Sequence, residues 1–272
     1  MSRFATVRKS QASARQAVSS PEIVKAHTYF TVVISVDRTT INGEEIPTAD
    51  TEDVNEAVLD VLHTYAQAWD TAVDGSVTDR RQGVLFLIRV EPDGSSSMLT
   101  DSPIPLPTPS GGVDEWIRHI NELAAAGRLE HAYRLAGSLR ERLAEEVGAD
   151  HTDAVESRAL EAYLAYLCQD HRSAMVLTLG VARIRLRQRD PSAVEDVVRA
   201  TAVWQRLCDT GAVLCHGKEL VALWDHLTAN AALPGDQGRL APYVAGRLRD
   251  VERSSTATRL GLKQPAAGAI FA

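Results

Sequence analysis

The chain has 272 residues, of which 44% are hydrophobic and 24% charged, and its formal net charge is −7. That length holds one large or two modest domains with a real core. The acidic balance argues against a general nucleic-acid or anionic-membrane binder, since both need a basic face.

Residues 1–24 are rich in Ser, Ala and Arg and read as a mobile tail, basic through Arg3, Arg8, Lys9 and Arg15. There is no apolar leader core and no run near the roughly 18 apolar residues that cross a bilayer, so the expectation is a cytoplasmic protein. A small ββαββ domain is expected over 25–101. Phe30, Val32, Ile34 and Val36 alternate with Tyr29, Thr31, Val33 and Ser35, which is the period of a strand. A second strand follows over 39–46. Asn42-Gly43 is a hairpin signal, because both central positions of a type I′ turn need positive φ, and Asp37-Arg38 competes with it.

A helix comes next, with Asp50 or Thr51 as cap and Glu52 and Asp53 at the positive end of its dipole. Val54, Ala57, Val58, Val61, Leu62, Tyr65 and Trp69 form its apolar stripe, and it is expected to end near Asp74-Gly75. The stretch 83–90 (GVLFLIRV) then reads as a buried strand, Pro92-Asp93-Gly94 as a turn, and 95–100 as the partner strand. Residues 102–112 (SPIPLPTPSGG) alternate Pro with other residues and end in Gly-Gly, the composition of a semi-rigid spacer.

From 113 to 253 the pattern is helical. The expected pairs are 113–126 with 128–147, 152–168 with 171–189, and 192–209 with 217–230, then a capping helix at 240–253. Residues 254–272 read as a second mobile tail. Three segments align when slid by 42 residues: Trp116, Arg158 and Ala200; Ile120, Ala162 and Trp204; Leu123, Ala165 and Leu207; Gly127, Gln169 and Gly211; Ala132, Ala174 and His216; Leu139, Val181 and Leu223. A helix pair cannot bury its apolar face alone, so such units stack.

With Trp116, Gly127 and Ala132 at their spacing, this region resembles a tetratricopeptide repeat, in a long form with about eight residues beyond the usual 34. The segment Gly148, Ala149, Asp150, His151, Thr152, Asp153 is similar to the connector of such long repeats, with Thr where Pro is usual. The third unit is degenerate, with His216 at a small-residue position and a longer loop over 210–217. The resemblance implies a groove lined by first helices that holds a protein or peptide partner. It would show Ile117, Asn121 and Ala124, then Tyr163 and Tyr166, then Thr201, Gln205 and Cys208. Asn121 matches the Asn of the carboxylate-clamp variety, but Ile117 stands where a basic clamp residue belongs. The binding set is therefore Asn121, Tyr163, Tyr166 and Gln205, with tyrosines offering large contact area at low entropy cost.

Other constellations have plainer readings. Cys168, His171, Cys208, Cys215 and His216 lack the pair-of-pairs spacing of a zinc site, and the odd cysteine count suits reduced thiols. Arg183, Arg185, Arg187 and Arg189 alternate, which spreads them around a helix. Glu44-Glu45, Glu52-Asp53 and Glu145-Glu146 suit turns, a capping turn and a solvated face. No phosphate loop, nucleophile elbow or zinc-protease motif is present. The reading is a non-enzymatic adaptor or scaffold with no cofactor or metal, no nucleic-acid or membrane partner, and an α+β fold. Three alternatives stay open: a regulatory protein whose helical array senses a partner or ligand, a self-assembling homo-oligomer, and a metal-binding protein or enzyme built on the Cys and His residues.

Overall fold

A computed structural model of the chain describes residues 29–46, 54–100, 102–107, 111–230 and 235–259. The expected tail over 1–24, the capping residues Asp50 to Asp53 and residues 108–110 of the Pro-rich stretch lie outside the described residues, as does 260–272 of the expected second tail, whereas 254–259, also expected in that tail, continue the last helix. The fold is mixed α+β, with a small sheet followed by helices. It divides into two compact units between Leu139 and Arg140.

The first unit contains strands β1 (Tyr29–Ile34), β2 (Thr39–Ile41) and β3 (Glu44–Glu45), helix α1 (Val54–Trp69), then β4 (Val73–Asp79), β5 (Val84–Val90), β6 (Ser96–Met98) and β7 (Ile104–Pro105). The sheet runs β3-β2-β1-β4-β5-β6, with β7 on the far part of β5. β1 and β4 are parallel, with Val32 opposite Val77, and every other pairing is antiparallel. Both rival turns exist: Ser35 closes onto Arg38, and Asn42-Gly43 makes the β2–β3 turn with φ of 53° and 84°.

The expected ββαββ arrangement is corrected at β4. The helix stops at Trp69 and Asp74-Gly75 lie inside a central strand. Its sequence, VDGSVTD, hides the strand because Asp74, Ser76 and Thr78 make one face wholly polar, yet all are buried. Each finds a way to be buried as a paired strand residue or a bonded side chain. Arg89 grips Asp74 through Nε at 2.7 Å and Nη2 at 2.8 Å, and Thr78 Oγ1 meets Ser138 Oγ at 2.9 Å.

On the other face, Phe30, Val32, Ile34, Val73, Val77, Ile88 and Val90 pack against Val58, Leu62 and Ala66 of α1. Each such side chain contributes about 1.5 to 3 kcal/mol when fully buried. Gly75 lets the helix come close: a Cβ there would lie 3.3 Å from both Ile88 Cγ1 and Leu62 Cδ1. Tyr65 and Trp69 continue the stripe, Tyr65 tilted against the Phe30 ring and Trp69 stacked on it, with ring centroids at 4.8 and 5.8 Å.

Helices α2 (Val113–Ala125) and α3 (Leu129–Glu146) follow. Arg134 of α3 lies 3.4 Å above the Tyr29 ring and bonds Glu130 at 2.6 Å, which holds the start of α3 against the polar sheet face. Burial pushes the Tyr29 hydroxyl up to about 12, against the opposing Arg134 charge.

The second unit holds α4 (Thr152–Leu167), α5 (His171–Gln188), α6 (Ala193–Trp204), α7 (Thr210–Asn230), a 3-10 turn (Gly235–Arg239) and α8 (Leu240–Arg259). Consecutive helices pack on one another, and α5 also meets α7. Val155 and Ala159 of α4 close on Val181 and Ile184 of α5. Trp204 and Trp224 are fully buried and satisfied: Trp204 Nε1 donates to the Val213 carbonyl at 2.9 Å, and Trp224 Nε1 to Thr201 Oγ1 at 3.0 Å.

The second helices of the first two pairs follow the sequence alignment, while the first helices, α2 and α4, share it at their ends and not at their starts. α3 begins at 129 and α5 at 171; they end at 146 and 188, so both bounds are shifted by 42. The turns repeat bond for bond. Gly127 N and Arg128 N donate to the Ala124 and Leu123 carbonyls, and Gln169 N and Asp170 N donate to those of Tyr166 and Ala165. This is a Schellman closure, which needs a left-handed residue, and Gly127 (φ 77°) and Gln169 (φ 64°) supply it.

The third pair departs from the expected bounds. α6 ends at Trp204 and α7 begins at Thr210, so the anticipated long loop over 210–217 is helix. Asp209 is the reason, because its Oδ1 accepts the Ala212 N–H at 2.6 Å and starts α7 early.

Candidate functional site

α4 is buried on most of its circumference, by Ala154, Val155, Ala159, Leu160, Ala162, Leu164 and Ala165 among others. Tyr163 and Tyr166 are half-buried and three residues apart, hence neighbours on one stripe. That spacing gives α4 two adjacent aromatic rings that remain partly open to solvent.

The turn after α4 adds to this stripe. The Tyr166 and His171 rings lie 5.4 Å apart, tilted by 43°. His171 Nδ1 is shielded and has no hydrogen-bond partner. Burial lowers the His171 pKa, the Arg206 charge lowers it further, and Asp170 opposes them. Arg206 sits in the α6–α7 turn, and Arg172 Nη2 meets Asp209 Oδ1 at 3.2 Å, so the two turns lie side by side at one end of the unit. Gln205 and Cys208 are exposed in that same turn. The structure therefore brings Tyr166, His171, Arg206 and the Gln205 turn to one end of the second unit.

Other expected positions fall elsewhere. Asn121 is half-buried on α2, in the first unit. Ile117, Ala124 and Thr201, expected to face the groove, are buried at 6%, 7% and 1% exposure and so present no surface there. For Thr201 the cause is visible: its hydroxyl donates to the Val197 carbonyl and accepts from Trp224. Sequence reasoning missed His171 and Arg206 as neighbours of Tyr166. The repeated turn positions at Gly127 and Gln169 were the signal that could have gathered them.

The arginine run separates as expected, and one member is buried. Arg183 pairs with Glu219 at 3.1 Å and Arg187 with Asp150 at 2.9 Å, while Arg185 is 6% exposed. Arg185 Nη1 donates to Asp196 Oδ2 at 2.7 Å, and its Nη2 donates to Glu156. This network joins α4, α5 and α6. The connector Gly148 to Asp153 is held in a similar way: Asp150 takes Arg187, Gln188 Nε2 donates to the Asp150 carbonyl at 2.6 Å, and His151 Nδ1 accepts the Asp153 N–H at 3.3 Å to cap α4.

Of the remaining candidates, Ser95 is committed to a turn, donating both N–H and Oγ–H to Asp93 Oδ1 at 2.9 and 2.7 Å. Cys168 is half-buried, and Cys208 and Cys215 are exposed. Among the described residues no group of three or more His, Cys, Asp or Glu is placed to hold a metal ion. No described helix is long and apolar enough to cross a membrane.

The chain is mixed α+β, a small sheet followed by helices. No protein-family model, curated protein or solved structure matches it.

Proposed function

We propose that the chain is a non-enzymatic adaptor whose helix pairs, resembling tetratricopeptide repeats, recognise a protein or peptide partner. The observation that carries this reading is the 42-residue shift between the bounds of α3 and α5 together with the identical turn bonds at Gly127 and Gln169. Repeated helix pairs are rigid and present ordered rows of side chains, which is the physical requirement of a preformed recognition surface. Tyr163 and Tyr166 serve as anchors, and Gln205 supplies a polar contact beside them. Asn121 has the corresponding polar role on α2. Recognition of this kind needs shape and a few buried aromatic anchors and no reacting group.

Affinity capture from the source cells, read by mass spectrometry, tests the reading with the wild-type chain and the Tyr163→Ala/Tyr166→Ala variant. A partner captured by the first and lost by the second is expected. Retention of every partner by the folded variant overturns the assignment.

A further inference from the structure

The first unit has a cavity of about 330 Å³ between the first turns of α1 and the sheet. Its walls are Ile34, Val58, Leu59, Val77, Phe86, Ile88 and Met98, and its polar edge is Asn55, Asp79, Gln82 and the β6 serines. The sequence explains the space. Gly75 draws Leu62 of α1 onto the sheet, whereas two and four residues further along β4 the same face carries Val77 and Asp79. Beyond that close approach the described residues leave the space between helix and sheet unfilled. Phe86 remains half-buried and Met98 is 52% exposed at the mouth.

The lining fixes the ligand chemistry. Asp79 is the one charged group in the wall, and its side chain is 2% exposed. It is fully occupied: Oδ1 accepts the Arg81 N–H at 2.8 Å, Arg81 Nε at 3.2 Å and the Gln82 N–H at 3.2 Å, and Oδ2 accepts Arg81 Nη2 at 2.9 Å. Burial alone would raise its pKa, yet these bonds prevail and hold the carboxyl below its ordinary value. Its charge is thus neutralised from within the chain and offers little to a cationic ligand, and an anion would lose its water among apolar walls that hold no basic group to replace it. The Gln82 amide and the β6 serines stand at the edge to set orientation.

We propose that this cavity binds a small, uncharged, mainly apolar molecule with a planar body and one hydrogen-bonding end. An apolar cavity of about 150 Å³ accepts benzene, so roughly twice that volume accepts a fused two-ring body. Most small-molecule sites share this composition, apolar walls with a few placed polar groups. The inference concerns the first unit and is independent of partner recognition by the helices.

The test is isothermal titration calorimetry on the full chain with 2-naphthol and with 2-naphthoate. The result expected is saturable one-to-one binding of 2-naphthol with Kd below about 1 mM, and binding of the naphthoate anion at least tenfold weaker. Met98→Trp and Asn55→Trp change exposed residues on opposite walls and are expected to weaken 2-naphthol at least tenfold, with circular dichroism unchanged. Trp69→Ala, about 20 Å along α1 from Asn55, leaves binding unaltered. The proposal is overturned by the absence of saturable binding, by wild-type affinity in either folded cavity variant, by equal affinity for naphthoate, or by loss of binding in Trp69→Ala.

Discussion

Replacing Asp196 by Asn removes the central counterion of the buried network that joins α4, α5 and α6. Arg185 and Asp196 side chains are 7% and 2% exposed, and their bond is 2.7 Å long. The Arg185 charge is retained in the folded state: burial acts to lower its pKa, but Asp196, Glu156 and Asp190 outweigh that effect and raise it. Removing one partner of a buried pair costs about 3 to 5 kcal/mol, because the other charge stays uncompensated. Glu156 still reaches Arg185, and Asp190 lies 3.9 Å away, so the lower end applies, about 3 kcal/mol. Arg199, which bonds Asp196 at 2.5 Å, is 44% exposed and turns to water at little cost. Amide hydrogen exchange read on peptides from α5 and α6 reports the change locally, as a rise on the order of a hundredfold in exchange rate. The double variant Arg185→Met/Asp196→Leu removes both charges and is expected to lose less than Asp196→Asn alone. A single-variant loss under about 0.5 kcal/mol, or a double variant worse than the single, would refute the claim that this pair fastens the second helix pair to the third.

Three further outcomes follow from the same geometry. His171 titrates below the ordinary histidine value of about 6.5, so its contribution to stability is full above that pH and is lost as pH falls through 6.5 toward the folded value; proton NMR checks this, and Arg206→Gln is expected to bring the pKa back up. Tyr29 is expected to ionise near 12, so its share of stability persists up to about 10 and disappears as pH rises beyond; the last step of the ultraviolet tyrosine titration should vanish in Tyr29→Phe. Gly217→Ala places a Cβ 2.9 Å from Leu248 Cδ1 and from Trp204 Cζ2, and the Trp204 ring is held by its bond to Val213. Overpacking of about 1 to 3 kcal/mol outweighs the roughly 1 kcal/mol of helix propensity gained, so urea unfolding shows a net loss; a stabilised variant contradicts that packing.

The helices were legible because apolar periodicity and paired turn residues are local signals, and α2 to α5 fall within two residues of the expected bounds. Strands β1 and β5 were legible for the same reason. β4 was not, since Asp74, Ser76 and Thr78 owe their burial to Arg89, Ser138 and strands distant in sequence. The early start of α7 turns on a single capping bond from Asp209, which the apparent repeat column at Gly211 masked. At the candidate site the sequence pattern singled out Tyr163 and Tyr166, which remain partly open, but placed Thr201 on the surface when it satisfies a buried Trp224. The cavity near Asp79 left no trace in the pattern, because it arises from how closely Gly75 admits one helix turn.

The most direct test of the proposed adaptor role is the Kd of the captured partner for the purified full chain and for the Tyr163→Ala/Tyr166→Ala variant. Anchoring aromatic residues cost about 2 kcal/mol or more on truncation, so Kd is predicted to rise at least about thirtyfold while circular dichroism stays unchanged. A Kd within about twofold of wild type in the folded variant would contradict recognition through this tyrosine stripe.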